Sequence, residues 1–158
     1  RAGIEVTMVS VDETAAVTGS HQITVQMDQL LSETDFDAFD LLVLPGGMPG
    51  TLHLEDCDGL MEQLDRFYSA GKWVAAICAA PQIFGHRGYL KGRKATSFPS
   101  MEKELDGAFV THGAAEVDGN VITGRGMGCA IDFALKIIGC LISEEEAAAQ
   151  AERIVYER

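Results

Sequence analysis

The chain has 158 residues, of which 47% are hydrophobic and 23% are charged, and its formal net charge at pH 7 is -12. This composition is typical of a globular domain and excludes collagen-like, coiled-coil and disordered chains. The negative charge repels phosphate backbones and anionic lipids, so we expect no binding to nucleic acid or to a membrane surface. Every apolar run is far shorter than the roughly 20 residues of a membrane span, and no signal-peptide pattern is present. We therefore expect one domain over residues 1–158 and a cytoplasmic location.

The cysteines and histidines give no indication of a metal or disulfide framework. Cys57, Cys78, Cys129 and Cys140 are scattered without CxxC spacing. A chain of this length buries enough surface to fold without disulfides, so we expect reduced thiols. His53 and His86 have no partner at ligand spacing. The sequence predicts neither a metal nor an organic cofactor.

The first half of the chain shows strand patterns followed by one helix and another strand. The predicted elements are a strand over residues 4–11, a polar loop over 12–20, a short strand over 23–25, a buried parallel strand over 41–44, a helix over 58–70 with Asp58 as N-cap and Gly71 past its end, and a strand over 72–77. Strand, helix and strand in close succession indicate a right-handed βαβ unit. The fold class predicted from this order is α/β.

The second half continues the alternation. It is predicted to contain a short helix over residues 81–89, a strand over 95–98, a polar helix over 100–105, a hairpin within 108–123 turning at Asp118-Gly119-Asn120, a helix over 124–141 with an apolar stripe of Ile131, Ala134, Leu135 and Ile138, and a last helix ending near Tyr156. Ser143 and Glu146 form a capping box at the start of that last helix.

Cys78 is the residue for which chemistry is most clearly indicated. It lies between an apolar strand and a helix, next to Ala79 and Ala80. Small neighbours allow a tight strand-to-helix turn that exposes the central side chain, as in the nucleophile elbow of hydrolases. Backbone N–H groups at such a turn favour a thiolate. Cys78 is therefore a candidate nucleophile, and the alternative is a small buried apolar residue.

A second element points to the same place. Gly46 and Gly47 end the strand over residues 41–44, and the carboxyl ends of parallel strands meet at one crevice of an α/β sheet. We expect Gly47 to lie near Cys78, with the amides of Gly47 and Ala79 as donors to an oxyanion. The alternative is that the two glycines only turn the chain.

Three motifs together resemble a known family. LLVLPGG over residues 41–47, KWVAAICAAP over 72–81 and DGNVITGRGMGCAIDFALKII over 118–138 resemble the ThiJ/PfpI superfamily, specifically the branch of the Parkinson-disease-associated deglycase and its bacterial relatives. The resemblance implies a flavodoxin-like three-layer sandwich with a mostly parallel sheet, of the class I glutamine amidotransferase type, and a homodimer. It also implies that Cys78 is acidic and readily oxidised, that Gly47 and Ala79 supply the oxyanion amides, and that Gly46 holds the turn.

The chain departs from this pattern at its beginning. Members of the branch have a strand and a helix before the strand that matches residues 4–11, and Arg1-Ala2-Gly3 resembles the end of that helix. The glutamate that bonds the cysteine belongs to that part, and neither Glu5 nor Glu13 matches it. We therefore expect an N-terminally incomplete domain. We also expect the slot between the strands over 4–11 and 41–44 to be filled by another segment or rearranged.

A second departure concerns histidine. Gly107 or Ala108 stands where the branch often has a histidine, and His112 follows a few residues later. Whether His112 reaches Cys78 stays open. Ala79, and not a histidine, follows Cys78, which argues against peptidase activity.

These observations support three hypotheses on function. The first is a cysteine-dependent enzyme that converts small reactive carbonyls, such as α-oxoaldehydes or their adducts, to hydroxy acids in the manner of a glyoxalase or deglycase. The second is an oxidative-stress sensor or redox-regulated chaperone in which Cys78 is oxidised. The third is an amidase or peptidase.

Overall fold

The structure is a computed structural model, and it describes residues 1–157. Its strands are β1 (Val9–Ser10), β2 (Ala16–Thr18), β3 (Thr24–Gln26), β4 (Gln29–Leu30), β5 (Leu41–Leu44), β6 (Trp73–Ile77), β7 (Lys94–Ala95), β8 (Phe109–Val110), β9 (Ala115–Asp118) and β10 (Val121–Gly124). Its α-helices are α1 (Gly50–Glu55), α2 (Asp58–Ser69), α3 (Pro81–His86), α4 (Ala130–Leu141) and α5 (Glu144–Arg153). The 3-10 helices are Leu31–Glu33, Phe36–Ala38, Pro99–Glu104 and Met127–Cys129.

A four-stranded sheet in the order β5-β6-β10-β9 organises the fold. β5, β6 and β10 are parallel, and β9 is antiparallel to β10. This confirms the parallel strands predicted over residues 41–44 and 72–77. The hairpin predicted at Asp118-Gly119-Asn120 is confirmed too, because Gly119 has a φ of +60° there and Val121 pairs with Asp118.

Helices cover both faces of this sheet, because successive residues of a strand point to opposite sides. Val74 and Ala76 pack with the apolar face of α2 in the larger core, whereas Ala75 packs with Ile122 and Phe133 of α4 in a second core. The result is the three-layer α/β fold that the sequence predicts. Among residues 1–157, no helix combines the length and apolarity needed to cross a membrane.

The N-terminal segment differs from the prediction. Of the strand expected over residues 4–11, only Val9–Ser10 is a strand, and it pairs with β4. Residues 4–7 join no ladder with any other described residue. A strand needs a neighbour to satisfy its backbone groups, and an apolar, β-branched sequence does not supply one. The loop expected over residues 12–20 contains β2, which pairs antiparallel with β3.

Several element boundaries also need correction. The helix over 58–70 is confirmed as α2, but its N-cap is Cys57, not Asp58. The strand expected over 95–98 is limited to β7, and the polar helix over 100–105 is the 3-10 helix Pro99–Glu104. The stripe expected on α4 is confirmed at Ile138, which is buried, but it is wrong at Ile131, which is 42% exposed, and it omits Phe133, which is buried. The rotation of α4 against β9 and β10 decides which of its side chains face the sheet.

Candidate active site

Cys78 lies at the sharp turn that follows β6. Its φ of +66° is in the left-handed region, which is uncommon and costs free energy for a residue other than glycine, and such strained residues cluster at active sites. Two neighbouring segments hold this conformation. The amide of Cys78 donates to the carbonyl of Gly124 at 2.9 Å, and its carbonyl accepts from the amide of Phe98 at 2.8 Å. The turn is therefore fixed on both sides by hydrogen bonds, and the side chain is partly exposed.

Gly46 brings the loop after β5 into direct contact with this turn. A Cβ atom at Gly46 would lie 2.5 Å from Cβ of Cys78 and 2.5 Å from the carbonyl oxygen of Ile77. The loop could not approach so closely with any side chain at this position. Gly47 follows with a φ of +100°, again in the left-handed region. Its carbonyl accepts from both the amide and the hydroxyl of buried Thr51, at 2.8 and 2.9 Å.

Two amides beside Cys78 are free to bind a ligand. Neither the N–H of Gly47 nor that of Ala79 has a hydrogen-bond partner among residues 1–157. Gly47 is exposed, and Ala79 is 3% exposed. Unpaired N–H groups of this kind can donate to an oxyanion. Gly47 and Ala79 are the residues for which the sequence predicts that role.

His112 belongs to a different group of side chains. Its Nδ1 lies 2.8 Å from Oε1 of Glu102, and its carbonyl accepts from Nη1 of Arg125 at 2.6 Å. Arg125 also lies 3.6 Å from Glu102. This cluster ties the 3-10 helix Pro99–Glu104 to the end of β10. Within residues 1–157, no hydrogen bond joins His112 to Cys78.

A second charged cluster, which the sequence analysis missed, lies at the far end of α3. Nδ1 of His86 lies 2.5 Å from Oε1 of Glu55, and Nε2 lies 3.2 Å from Oε2 of Glu104. Gln82 donates to the other oxygen of Glu55 at 3.2 Å. The hydrogen bond to Glu55, supported by the one to Glu104, raises the pKa of His86. No local pattern in the sequence indicates this cluster, because His86 is 31 residues from Glu55 and 18 residues from Glu104 in the chain.

The other cysteines have settings unlike that of Cys78. All four are free thiols. Cys57 is the N-cap residue of α2 and packs against the larger core. Cys140 packs against the second core, and burial raises the pKa of its thiol, which lowers its reactivity. Among the described residues, no three His, Cys, Asp or Glu side chains are grouped to hold a metal ion.

A parallel α/β sheet with a cysteine in left-handed conformation at a strand-to-helix turn places the chain among α/β proteins whose turn has the geometry of a nucleophile elbow. The model of the DJ-1/PfpI family matches residues 1–139, and the chain belongs to this family. This confirms the resemblance on which the sequence analysis relied.

Individual relatives give the same result. The chain is 38% identical over 149 residues to DJ-1 homolog B of Arabidopsis thaliana, covering 93% of this chain and 34% of that protein. It spans little more than a third of the two Arabidopsis homologs. It is 40% identical over 112 residues to a protein of Pyrococcus abyssi named a deglycase, covering 69% of this chain and 66% of that protein. The solved structure of oxidised DJ-1 from Toxoplasma gondii has a TM-score of 0.93 at 34% identity, covering 99% of this chain and 86% of that one.

Proposed function

We propose that this protein is a cysteine-dependent enzyme of the glyoxalase or deglycase type, which converts small α-oxoaldehydes or their adducts to hydroxy acids. The observation that carries the proposal is the left-handed turn at Cys78, with the free amides of Gly47 and Ala79 beside it. Membership of a family with relatives named deglycases, among them the one from Pyrococcus abyssi, supports a deglycase-type reaction.

The reaction begins with addition of the Cys78 thiolate to the aldehyde carbon of the substrate. A C–S bond forms, and the carbonyl electron pair moves to oxygen, which becomes an oxyanion. The amides of Gly47 and Ala79 donate to that oxygen, and protonation gives a hemithioacetal. In this role Gly46 places the loop close enough for the Gly47 amide to reach the same oxygen as Ala79.

The hemithioacetal then becomes a thioester of the hydroxy acid. The proton on the former aldehyde carbon leaves, and the adjacent carbonyl carbon receives a proton, so that the first carbon is oxidised and the second is reduced. Water attacks the thioester, breaks the C–S bond and releases the hydroxy acid with the free thiol. Among residues 1–157, no carboxylate hydrogen-bonds Cys78, so these proton transfers use water or a group outside them.

The test follows conversion of methylglyoxal to lactate by the wild-type protein and by Cys78→Ser. We expect the serine variant to lose at least about a thousandfold in rate, because a hydroxyl at this turn has no base to activate it. Cys57→Ser is the matched control and should keep the wild-type rate. Equal rates for wild type and Cys78→Ser would refute the proposal.

A second candidate function, oxidation sensing, is favoured by the partial exposure of Cys78 and by the oxidised state of the DJ-1 structure from Toxoplasma gondii. Two equivalents of peroxide would convert the thiol to a sulfinic acid with release of two waters. The same two amides would bind the sulfinate oxygens. Intact-mass and peptide analysis after graded peroxide should find Cys78 oxidised first. Earlier oxidation of Cys57 or Cys140 would remove the basis for this function.

The homodimer and the cytoplasmic location stay predictions. Four free thiols are consistent with a reducing compartment. The dimer rests on the family resemblance, and light scattering of the purified protein measures it directly.

A further inference from the structure

Two short helices leave the Cys78 site, and each is bonded at its first turn to one of the two proposed oxyanion residues. The amide of Thr51 in α1 donates to the carbonyl of Gly47 at 2.8 Å. The amide of Gln82 in α3 donates to the carbonyl of Ala79 at 3.2 Å. A displacement of either helix therefore moves a peptide unit beside Cys78.

A third short helix leaves the same site. Phe98, whose amide holds the carbonyl of Cys78, accepts at its own carbonyl from the amide of Met101 at 2.8 Å. Met101 lies in the first turn of the 3-10 helix Pro99–Glu104. This helix is thus connected to the turn through Phe98, and it supports Cys78 from the side opposite to Gly46.

The other ends of these three helices meet at one imidazole. α1 ends at Glu55, α3 ends at His86, and the 3-10 helix ends at Glu104. Both ring nitrogens of His86 face a carboxylate, at 2.5 Å for Glu55 and 3.2 Å for Glu104. At a rise of about 1.5 Å per residue, this junction lies roughly 10 Å from the Cys78 turn.

A carboxylate at each ring nitrogen favours the protonated ring. A neutral imidazole has one N–H group, so it donates to one carboxylate and presents a lone pair to the other. Only the imidazolium donates to Glu55 and to Glu104 at once. Lys103 bonds Glu104 at 3.2 Å without displacing His86. The charged groups that act on the ring are Glu55 from α1 and Glu104 from the 3-10 helix, and their bonds outweigh the effect of burial, so that the pKa of His86 is raised.

We propose that His86 is a positioning residue of the Cys78 site: as an imidazolium it ties the three helices together and so sets where the amides of Gly47 and Ala79 lie around the thiol. This inference rests on the proposed function, in which those amides bind the oxyanion. Within residues 1–157, His86 makes no hydrogen bond to Cys78, so it acts through the helices. Loss of its proton releases one carboxylate and frees the helix that ends there.

The test compares kcat and KM for methylglyoxal, from about pH 6 to about pH 9, in the wild type and three variants. His86→Gln should lower kcat about tenfold at low pH with a smaller change in KM, since displaced amides weaken binding of the transition state most. The ratio of wild-type to His86→Gln kcat should fall toward one as the pH rises through the pKa of His86, because the imidazolium exists only below it.

Two further variants distinguish a positioning role of His86 from a general effect of substituting a histidine. His86→Lys keeps the positive charge and several donors, so it should recover most of the lost kcat and should not lose it over this pH range. His53→Gln is the matched control, because His53 is exposed on α1 and its side chain makes no hydrogen bond with residues 1–157. The inference would be overturned if the ratio of wild-type to His86→Gln kcat did not change with pH. It would also be overturned if His86→Lys were as slow as His86→Gln.

Amide hydrogen exchange keeps this test separate from that of the proposed function. In His86→Gln, the amides of Thr51, Gln82 and Phe98 should exchange faster than in the wild type at low pH and equally fast at high pH. If the wild type converts no methylglyoxal, the proposed function fails, and the exchange rates alone decide the inference. Unchanged protection of these three amides at low pH would refute it.

Discussion

Gly46 is the residue on which the geometry of the Cys78 turn depends most directly. Gly46→Ala would place a Cβ atom 2.5 Å from Cβ of Cys78 and from the carbonyl of Ile77, and both are too close for any side chain. We expect a loss of about 1–3 kcal/mol in the free energy of unfolding, since the backbone must move apart. The alkylation rate of Cys78 by iodoacetamide should change as well. Urea denaturation and intact-mass kinetics measure the two effects.

The control for this change is Gly50→Ala, four residues further along the same loop and helix. A Cβ atom at Gly50 has no neighbour within 4 Å, and alanine favours the helix that begins there. This variant should be as stable as the wild type or more so. If both alanine variants behave alike, the close packing of Gly46 against Cys78 has no energetic importance.

At the scale of elements, a carboxylate network joins α2 to the segment after α3. Asp65 accepts from Nε of Arg87 at 2.8 Å, from the second guanidinium nitrogen and from the hydroxyl of Tyr89. The hydrogen bond from Arg87 lowers the pKa of Asp65. A lowered pKa means that the network stabilises the fold above the unfolded pKa of about 4 and that this contribution is lost as the pH falls through the folded value.

Asp65→Asn should therefore destabilise the protein at pH 7 by about 1 kcal/mol, a modest value because the Asp65 side chain is 45% exposed to solvent. The difference from wild type should disappear below the pKa of Asp65. Asp37→Asn is the control, since the Asp37 side chain is 80% exposed and its carboxylate bonds only Arg66 among residues 1–157. Urea denaturation at neutral and acidic pH gives both differences, and an Asp65→Asn effect that persists in acid would contradict this account.

At the scale of the whole molecule, the unpaired edge of β5 is the feature that should control association with other chains. No strand among residues 1–157 pairs with the side of β5 that faces away from β6, and Val43 is 46% exposed. An unpaired edge is a template for strands of other chains. We expect the isolated polypeptide of residues 1–158 to form assemblies larger than a dimer as its concentration rises, which light scattering coupled to size exclusion detects.

Val43→Lys should reduce this assembly, because a charge at the edge of a sheet disfavours further pairing. Val155→Lys is the control, since Val155 is 83% exposed and lies outside every strand. A stable monomer at all concentrations would refute the prediction, and with it the expectation that the slot beside β5 must be filled or rearranged.

The sequence by itself determined the class of the fold and identified Cys78 as the candidate nucleophile. Apolar runs over residues 41–44 and 72–77 are typical of buried parallel strands, and the Asp118-Gly119-Asn120 turn between alternating segments is typical of a hairpin. Cys78 between small residues at the end of a strand is an equally local pattern. These features depend on a few consecutive residues, which is why they could be predicted.

The tertiary structure alone decided which distant residues meet. Residues 4–7 have the composition of a strand but no partner among the described residues, and the buried face of α4 includes Phe133 because of how the helix rotates against the sheet. The contacts of His86 with Glu55 and Glu104 follow from the directions in which three helices leave the neighbouring segments of the Cys78 site. Such contacts join residues that are far apart in the chain, so no local pattern records them, and only the packing of the layers brings them together.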